Sequence, residues 1–225
     1  EQALRVGLKS VLVSPHFLFL NEQVRPASSG EATLDSKRSR KLDDFSLASR
    51  LSYFFWSSMP DAELLLLAER GKLSQSDILR EQVERMLKNE KAKAFTEHFA
   101  GQWLGLREID ATLPDRQLYP EYDKLLRHSM LKEVYLFFDE VLKNDLSVSN
   151  FVDSEFSFLN GRLAEHYGIP GVQGLEFRKI DLPEGSPRGG GMTMAAILKI
   201  TANGTTTSPI VRGAWVLDAL LDTPP

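Results

Sequence analysis

Apolar residues recur every three or four positions along most of the chain, which is the spacing of amphipathic helices. Leu4, Leu8 and Leu12 predict a first helix, and the Ser14-Pro15 pair that follows fits an N-cap with proline at the first helical position. Further helices are predicted over residues 43–56, 62–70, 76–87, 91–106 and 159–167. Residues 21–41 are polar and rich in Ser, Gly and charge, and they predict a flexible loop.

The longest predicted helix spans residues 121–143. At about 100° per residue, its apolar side chains fall within about 80° of Val134, which describes a wide core-facing stripe. These side chains are Leu126, Met130, Phe137, Phe138, Val141 and Leu142. We therefore expect this helix to be central.

The pattern changes after residue 170, where Gly and Pro surround the alternating stretch LEFRKIDL. This stretch predicts an extended connector with a short hairpin around residues 172–182. Ser208-Pro209 then opens a final helix that runs to about Leu221. The predicted fold is mostly α: a multi-helix, bundle-like domain with a short extended or β connector and a C-terminal helix.

Composition excludes several kinds of partner and binding site. The 225 residues include 27 Lys and Arg against 31 Asp and Glu, a net charge of -4 that argues against a nucleic-acid partner. The absence of cysteine rules out disulfides, thiolate metal sites and covalent c-type haem within these residues. The longest aliphatic run, Leu64 to Ala68, is too short for a membrane span, and no signal peptide is visible. The chain begins at Glu1 and ends in two prolines, and we interpret it as a piece of a longer protein.

Few residues indicate chemistry, because the sequence has no CxxCH, HExxH, GxSxG, P-loop or GxGxxG motif. His98 is the candidate metal ligand, since it lies about 60° from Phe95 on its predicted helix. The alternative, and the prediction we make, is a buried core histidine with a hydrogen-bond partner. No other metal site is predicted.

Glu133 and His166 are candidate catalytic residues. Glu133 falls about 100° from Val134 and shares a stripe with Glu140, so we interpret both as surface carboxylates that border the core. His166 comes at the end of a predicted helix, where the helix dipole favours a histidine and a structural role explains it.

Two stretches near the C-terminus suit an anion. Ser208 and Arg212 lie on either side of a predicted helix N-terminus and form a candidate anion site. The alternative is that Ser208 caps the helix. Arg212 is also a candidate catalytic residue. Arg188 precedes three glycines, which predict a flexible hinge or a backbone nest for an anion.

Several longer strings resemble a family of unknown function. LDDFSLASRLSYFFWSSMPDAELLLLA, FTEHFAGQWLGL, LRHSMLKEVYLFFDEVL and FSFLNGRLAEHYGI are similar to the domain of unknown function 1592. RGGGMTMAAILKITANGTTTSPIVRGAWVLDALLDTPP is similar to the domain of unknown function 1588, and SVLVSPHFLF to the end of a preceding domain. The resemblance divides the chain into the following parts: 1–20, the end of a preceding helical segment; 21–41, the loop; 42–170, the main helical domain; 171–185, a connector; and 186–225, a truncated second unit.

The resemblance implies a parent of the planctomycete type, a large secreted protein that also carries a c-type haem domain. Haem c would then lie in the parent and no cofactor within these residues. Location would be periplasmic, extracellular or at the cell surface. Partners would be other domains of the parent and a periplasmic or cell-surface protein.

Two function hypotheses remain open. The first is a helical scaffold or interaction module that docks a redox domain, a partner or a surface polymer. The second is an enzyme domain, an oxidoreductase or a carbohydrate-active unit, with Glu133, His166 and Arg212 in a cleft between the helical domain and the C-terminal unit.

Overall fold

The computed structural model describes residues 1–19, 42–183 and 185–225, and these residues form a mostly helical protein, as predicted. The predicted loop at 21–41 lies outside the described residues. The chain divides into two compact units, Glu1–Ala92 and Lys93–Pro225. The described helices include none that is long and apolar enough to cross a lipid bilayer.

The helices of the first unit are α1 (Gln2–Leu12), α2 (Pro15–Leu18), α3 (Asp44–Trp56), α4 (Ala62–Glu69) and α5 (Ser76–Lys88). A 3-10 turn over Glu90–Ala92 closes the unit. Leu4, Leu8 and Leu12 have the predicted helical spacing, but all three are more than half exposed, and α1 buries no residue.

Side chains fix where α3 and α4 begin and how α5 packs. The carboxylates of Asp43 and Asp61 accept backbone N–H groups of the first turns, which is the usual way an N-cap satisfies helix donors. The Trp56 indole donates to the Met86 carbonyl at 3.0 Å, and Arg85 pairs with Asp61 at 2.7 Å. α5 is thereby tied to both preceding helices.

The second unit begins with α6 (Lys93–Trp103) and α7 (Lys124–Lys143). After them come β1 (Phe156–Leu159), α8 (Gly161–Tyr167), β2 (Arg178–Asp181), α9 (Ala195–Ile200) and α10 (Pro209–Trp215). Three 3-10 segments, Leu106–Asp110, Val148–Phe151 and Gly191–Thr193, connect these elements.

α7 is central to this unit, as predicted. It packs against α6, β1, α8 and α9. The predicted stripe is buried apart from Leu142, and Phe137 has no exposed surface. Rings from three other elements pack around Phe137 and Phe138: Phe95, Phe99, Trp103, Phe151 and Phe156.

The predicted hairpin around 172–182 is wrong, because the strand found there pairs with a different segment of the chain. β2 pairs antiparallel with β1, with Phe156 opposite Asp181 and Leu159 opposite Arg178. The first strand therefore lies before α8, and the paired residues are 19 to 25 positions apart. Hydrophobic alternation in β2 identified a strand, but the pairing depends on tertiary packing against α7.

The C-terminal helix starts as predicted, since the Ser208 side chain accepts the Val211 N–H. It continues beyond α10 as a π-helical turn, Val216–Leu220. Two indoles attach it to the end of α6: Trp103 donates to the Ala219 carbonyl at 2.7 Å, and Trp215 donates to the Leu104 carbonyl at 3.1 Å. These bonds join the sequence after residue 208 to the helical core of the second unit.

Candidate functional site

A cavity of about 360 Å³ opens within the second unit. Its walls combine cationic, aromatic and hydroxyl groups with an apolar floor, the mixture that is typical of small-molecule sites. The lining includes the cations Arg188, Lys199 and Arg212, the carboxylate Glu121, the rings Tyr119, Tyr122 and His166, and the apolar side chains Leu126 and Met130. We call this space the large cavity.

Arg212 is held by two threonine hydroxyls. Its Nε donates to Thr201 Oγ1 at 3.3 Å and its Nη2 donates to Thr207 Oγ1 at 2.8 Å. Both acceptors are neutral, so the positive charge is positioned without being compensated. Ser208, the other predicted anion ligand, caps α10 through the Val211 N–H.

Lys199 projects from α9 and is anchored by backbone carbonyls. Its Nζ donates to the carbonyl oxygens of Ile109 and Thr112. Burial lowers the pKa of this amine from its ordinary value, while the nearby Asp110 acts in the opposite direction. The Tyr122 ring lies 5.5 Å from the ammonium, and the buried Tyr122 hydroxyl finds no hydrogen-bond partner among the described residues.

Arg188 is the third cation, and it stacks on the Tyr167 ring with its guanidinium carbon 3.7 Å from the ring centroid. Its Nη1 donates to the Thr193 carbonyl at 2.9 Å. The following glycines allow this placement: Gly190 has φ +73, and a Cβ there would lie 2.7 Å from the Val152 backbone. The glycine run thus serves close backbone packing.

Glu133 is not a surface carboxylate, and our interpretation of it was wrong. Its side chain is 1% exposed. Oε1 accepts the Ser157 hydroxyl at 2.7 Å, and Oε2 accepts the Tyr167 hydroxyl at 2.5 Å. Tyr167 in turn accepts the Ala195 N–H at 2.8 Å. The reason is that β1 and α8 cover the flank of α7 that periodicity left at the edge of the core.

This environment changes the pKa of the Glu133 carboxyl group. Burial raises the pKa of Glu133 from 4.5 to about 7, against the opposing effects of the Tyr167 and Ser157 hydrogen bonds and of the Arg188 charge. Burial and the neighbouring carboxylate raise the pKa of Tyr167 well above its ordinary value. Tyr167 is therefore a neutral donor at pH 7, and Glu133 is near half-protonation.

Glu133 and Arg188 also border a second, small cavity of about 10 Å³. Its volume admits at most about one water molecule. Of these two cavities, Arg188 therefore lines both, whereas Glu133 lines only the small one.

His166 and Arg212, two of the three predicted catalytic residues, line the large cavity together. Burial lowers the pKa of His166, and the charge of Arg188 lowers it further. The imidazole is thus neutral at pH 7. The third predicted residue, Glu133, lies behind Tyr167 and Arg188.

His98, the candidate metal ligand, is exposed, so the predicted buried core histidine is wrong. α6 packs instead through Phe95, Thr96, Ala100 and Gly101. A Cβ at Gly101 would lie 3.6 Å from the Tyr135 hydroxyl. Among the described residues, no group of three or more His, Asp or Glu could hold a metal ion.

Sequence reasoning did not select Lys199 or Tyr122. Neither residue lies in a recognisable motif. They line the same cavity because α9 and the segment before α7 meet in space.

A family model described as a protein of unknown function (DUF1592) matches residues 42–169, more than half of the chain. No curated protein and no solved structure matches the chain. The match includes the cavity residues Tyr119, Tyr122 and His166, while the three cations follow it in sequence. The similarity of residues 186–225 to the domain of unknown function 1588 stays a prediction.

Proposed function

The chain belongs to the DUF1592 family of proteins of unknown function, and we propose that it is an interaction module that binds small organic anions in the large cavity. The observation that carries the proposal is that three cations, Arg188, Lys199 and Arg212, line one cavity against a single lining carboxylate, Glu121, and are all held by neutral acceptors. Within the described residues, no carboxylate lies within 4.0 Å of any of the three. A bound anion would supply the compensating charge.

The lining favours an organic anion with a ring over a bare inorganic ion. The volume of about 360 Å³ lies in the range of about 300–1,000 Å³ that small-molecule pockets occupy. Tyr119 and Tyr122 offer ring faces, and Leu126 and Met130 offer apolar contact. Thr206 adds a hydroxyl for neutral polar groups. A carboxylate-bearing sugar fits this chemistry, and the end of an anionic surface polymer would present such a sugar.

Calorimetric titration of the purified chain with D-galacturonate and with neutral D-galactose tests the proposal. We expect binding of galacturonate that weakens as salt is added, and no binding of galactose. Inorganic phosphate and sulfate form two further arms, which separate recognition of a sugar acid from recognition of any anion. Equal binding of galactose and galacturonate would contradict the charge-based site.

Variants locate the binding. Arg212→Gln should weaken galacturonate binding by about tenfold or more, because a charge-assisted hydrogen bond contributes about 1.5–3 kcal/mol. Arg178→Gln is the matched control, since Arg178 is an exposed strand residue that does not line the cavity. An equal loss in both variants would show that net charge, and not this cavity, determines affinity.

We further propose that the chain is part of a larger exported protein with a c-type haem domain. The predicted similarity of residues 186–225 to the domain of unknown function 1588 motivates it, because that domain would accompany the 1592 domain in such proteins. An oxidoreductase role would belong to that parent. Fractionation of native cells, with mass spectrometry and a haem stain of the parent protein, tests location and haem together.

The same cavity supports a second candidate function, catalysis on an anionic sugar polymer. His166 lines it beside the cations, and its lowered pKa leaves it able to accept a proton at pH 7. In a β-elimination, Arg212 would neutralise the uronate carboxylate while His166 removes the proton from the adjacent carbon. A C–C double bond forms as the C–O bond breaks, and the leaving oxygen takes up the proton that His166 has removed.

Incubation with polygalacturonate, followed by the ultraviolet absorbance of the unsaturated product, tests this second function. Wild-type protein should generate the product and His166→Ala should not. Binding of galacturonate without product from the polymer would leave the interaction module as the function of the cavity.

A further inference from the structure

Arg188 separates the large cavity from the buried carboxylate of Glu133. One face of its guanidinium lies over the Tyr167 ring, and the hydroxyl of that ring donates to Glu133. Arg188 lines both the large cavity and the small space beside Glu133. The same positive charge is therefore shared between an internal carboxylate and any anion in the cavity.

Glu133 has hydroxyl donors and no direct ion pair. Ser157 and Tyr167 each donate to one of its oxygens, and among the described residues no cation lies within 4.0 Å of either. The charge of Arg188 acts on the Glu133 carboxylate through space and lowers its pKa. An isolated buried carboxylate is costly, so its charge depends on the field of the nearest cation.

We propose that Glu133 couples anion binding to proton uptake: an organic anion bound beside Arg188 drives protonation of Glu133, so that the anion enters with up to one proton. The inference rests on the proposed function of the large cavity. Glu133 acts here as a positioning residue for charge, because it reaches the ligand only through Arg188 and Tyr167.

Linkage gives the direction of the effect. Glu133 has a pKa of about 7 in the free protein. A bound anion adds negative potential and draws on the Arg188 charge, which raises that pKa further. The contribution of Glu133 to the affinity is then constant at pH values below 7, where its carboxyl group is already protonated. It falls as pH rises from 7 to the pKa of the bound state, by up to about tenfold per pH unit.

The other groups around Glu133 titrate elsewhere or do not titrate. β1 contributes the neutral Ser157, α9 contributes the Ala195 N–H, and α8 contributes Tyr167, whose pKa lies well above 10. His166, next to Tyr167, also faces the large cavity and would gain a proton with an anion. Its pKa lies below 6.5, so its uptake occurs at lower pH than that of Glu133.

The test is calorimetric titration with D-galacturonate at a pH about half a unit above 7, in two non-anion-binding buffers of different ionisation enthalpy. The slope of the observed enthalpy against the buffer enthalpy gives the protons taken up. Wild-type protein should take up a substantial fraction of one proton per anion. Glu133→Gln should bind galacturonate with uptake near zero and with affinity independent of pH in this range.

Glu140→Gln is the matched control, because Glu140 lies two turns further along α7 and pairs with Lys179 outside both cavities. It should retain the wild-type uptake. Binding without uptake in the wild type, or uptake that persists in Glu133→Gln, would overturn the inference and leave the proposed function intact. No binding of galacturonate, phosphate or sulfate would overturn the proposed function and the inference with it.

Discussion

The Tyr167 hydroxyl donates to the Glu133 carboxylate across 2.5 Å, so the last residue of α8 satisfies a buried charge in the middle of α7. Because the same hydroxyl accepts the Ala195 N–H, the phenol also fixes the start of α9. α9 carries Lys199 into the large cavity. The hydrogen bonds around Glu133 and the cationic cavity are thus connected through Tyr167 and α9. A substitution among the former should affect the cavity.

Stability should depend on the protonation of Glu133. Its pKa is about 7 in the folded state against 4.5 in the unfolded chain. The folded state therefore holds its proton more tightly, and Glu133 lowers the free energy of unfolding as pH rises from 4.5 to 7. The loss is about 3 kcal/mol, at about 1.36 kcal/mol per pKa unit. Urea denaturation of the wild type and of Glu133→Gln between these pH values measures it.

The difference between the two proteins isolates this residue, because Asp43, Asp110 and Asp123 have lowered pKa values and act in the opposite direction, at acidic pH. Glu133→Gln should lack the decline. A parallel pH dependence in both proteins would show that Glu133 titrates normally and is not buried as the structure has it.

Tyr167→Phe should destabilise the protein by about 1–3 kcal/mol, the cost of leaving a buried acceptor unsatisfied. The Tyr167 hydrogen bond lowers the pKa of Glu133, so its removal moves the pKa above 7. The loss should consequently be larger at alkaline pH, where the carboxylate is charged, than at pH 5. Tyr53→Phe is the control: Tyr53 is 48% exposed, and its change should stay within about 0.5 kcal/mol. Equal losses in the two variants would contradict the role of the Tyr167 hydroxyl.

Helical periodicity predicted α7 and its core stripe because side chains on one side of a helix pack against the nearest elements whatever those elements are. Periodicity did not predict that Glu133 is buried, because Glu133 lies about 20° beyond Leu126 on the helical projection, outside the apolar stripe. It is covered by a strand whose pairing is non-local. His98 failed for the opposite reason. Its large apolar neighbours on α6 do contact Phe138 of α7, but the histidine itself faces solvent.

The cavity was predictable only in part. Arg212 and Ser208 were recognisable from their place at a helix start, and Ser208 does cap that helix. Lys199 and Tyr122 come together through the packing of α9 beside the segment that precedes α7, which no local spacing encodes. Such convergence depends on tertiary contacts between residues about eighty positions apart.

Phe137→Ala should lower the free energy of unfolding by about 3–5 kcal/mol, because it removes a fully buried ring from a well-packed core. Leu125→Ala on the same helix is the matched control, since Leu125 is 41% exposed and its truncation leaves no closed cavity. Its cost should stay below about 1 kcal/mol. Chemical denaturation of both variants provides the comparison, and a loss below about 1 kcal/mol for Phe137→Ala would contradict the central position of α7.

Asn160 should be the most costly helix cap to remove. Its Oδ1 accepts the Leu163 N–H at 2.9 Å, while its Nδ2 donates to the Ser129 hydroxyl on α7 at 2.9 Å, and both polar side chains are buried. Asn160→Ala therefore removes a cap and leaves the Ser129 hydroxyl without this partner, at a cost of about 2 kcal/mol or more. Ser208→Ala removes a cap of the same geometry in a more exposed position and should cost about 0.5–1 kcal/mol. Thermal and urea unfolding of the two variants measure the difference, and equal costs would show that the bond between α8 and α7 adds no stability.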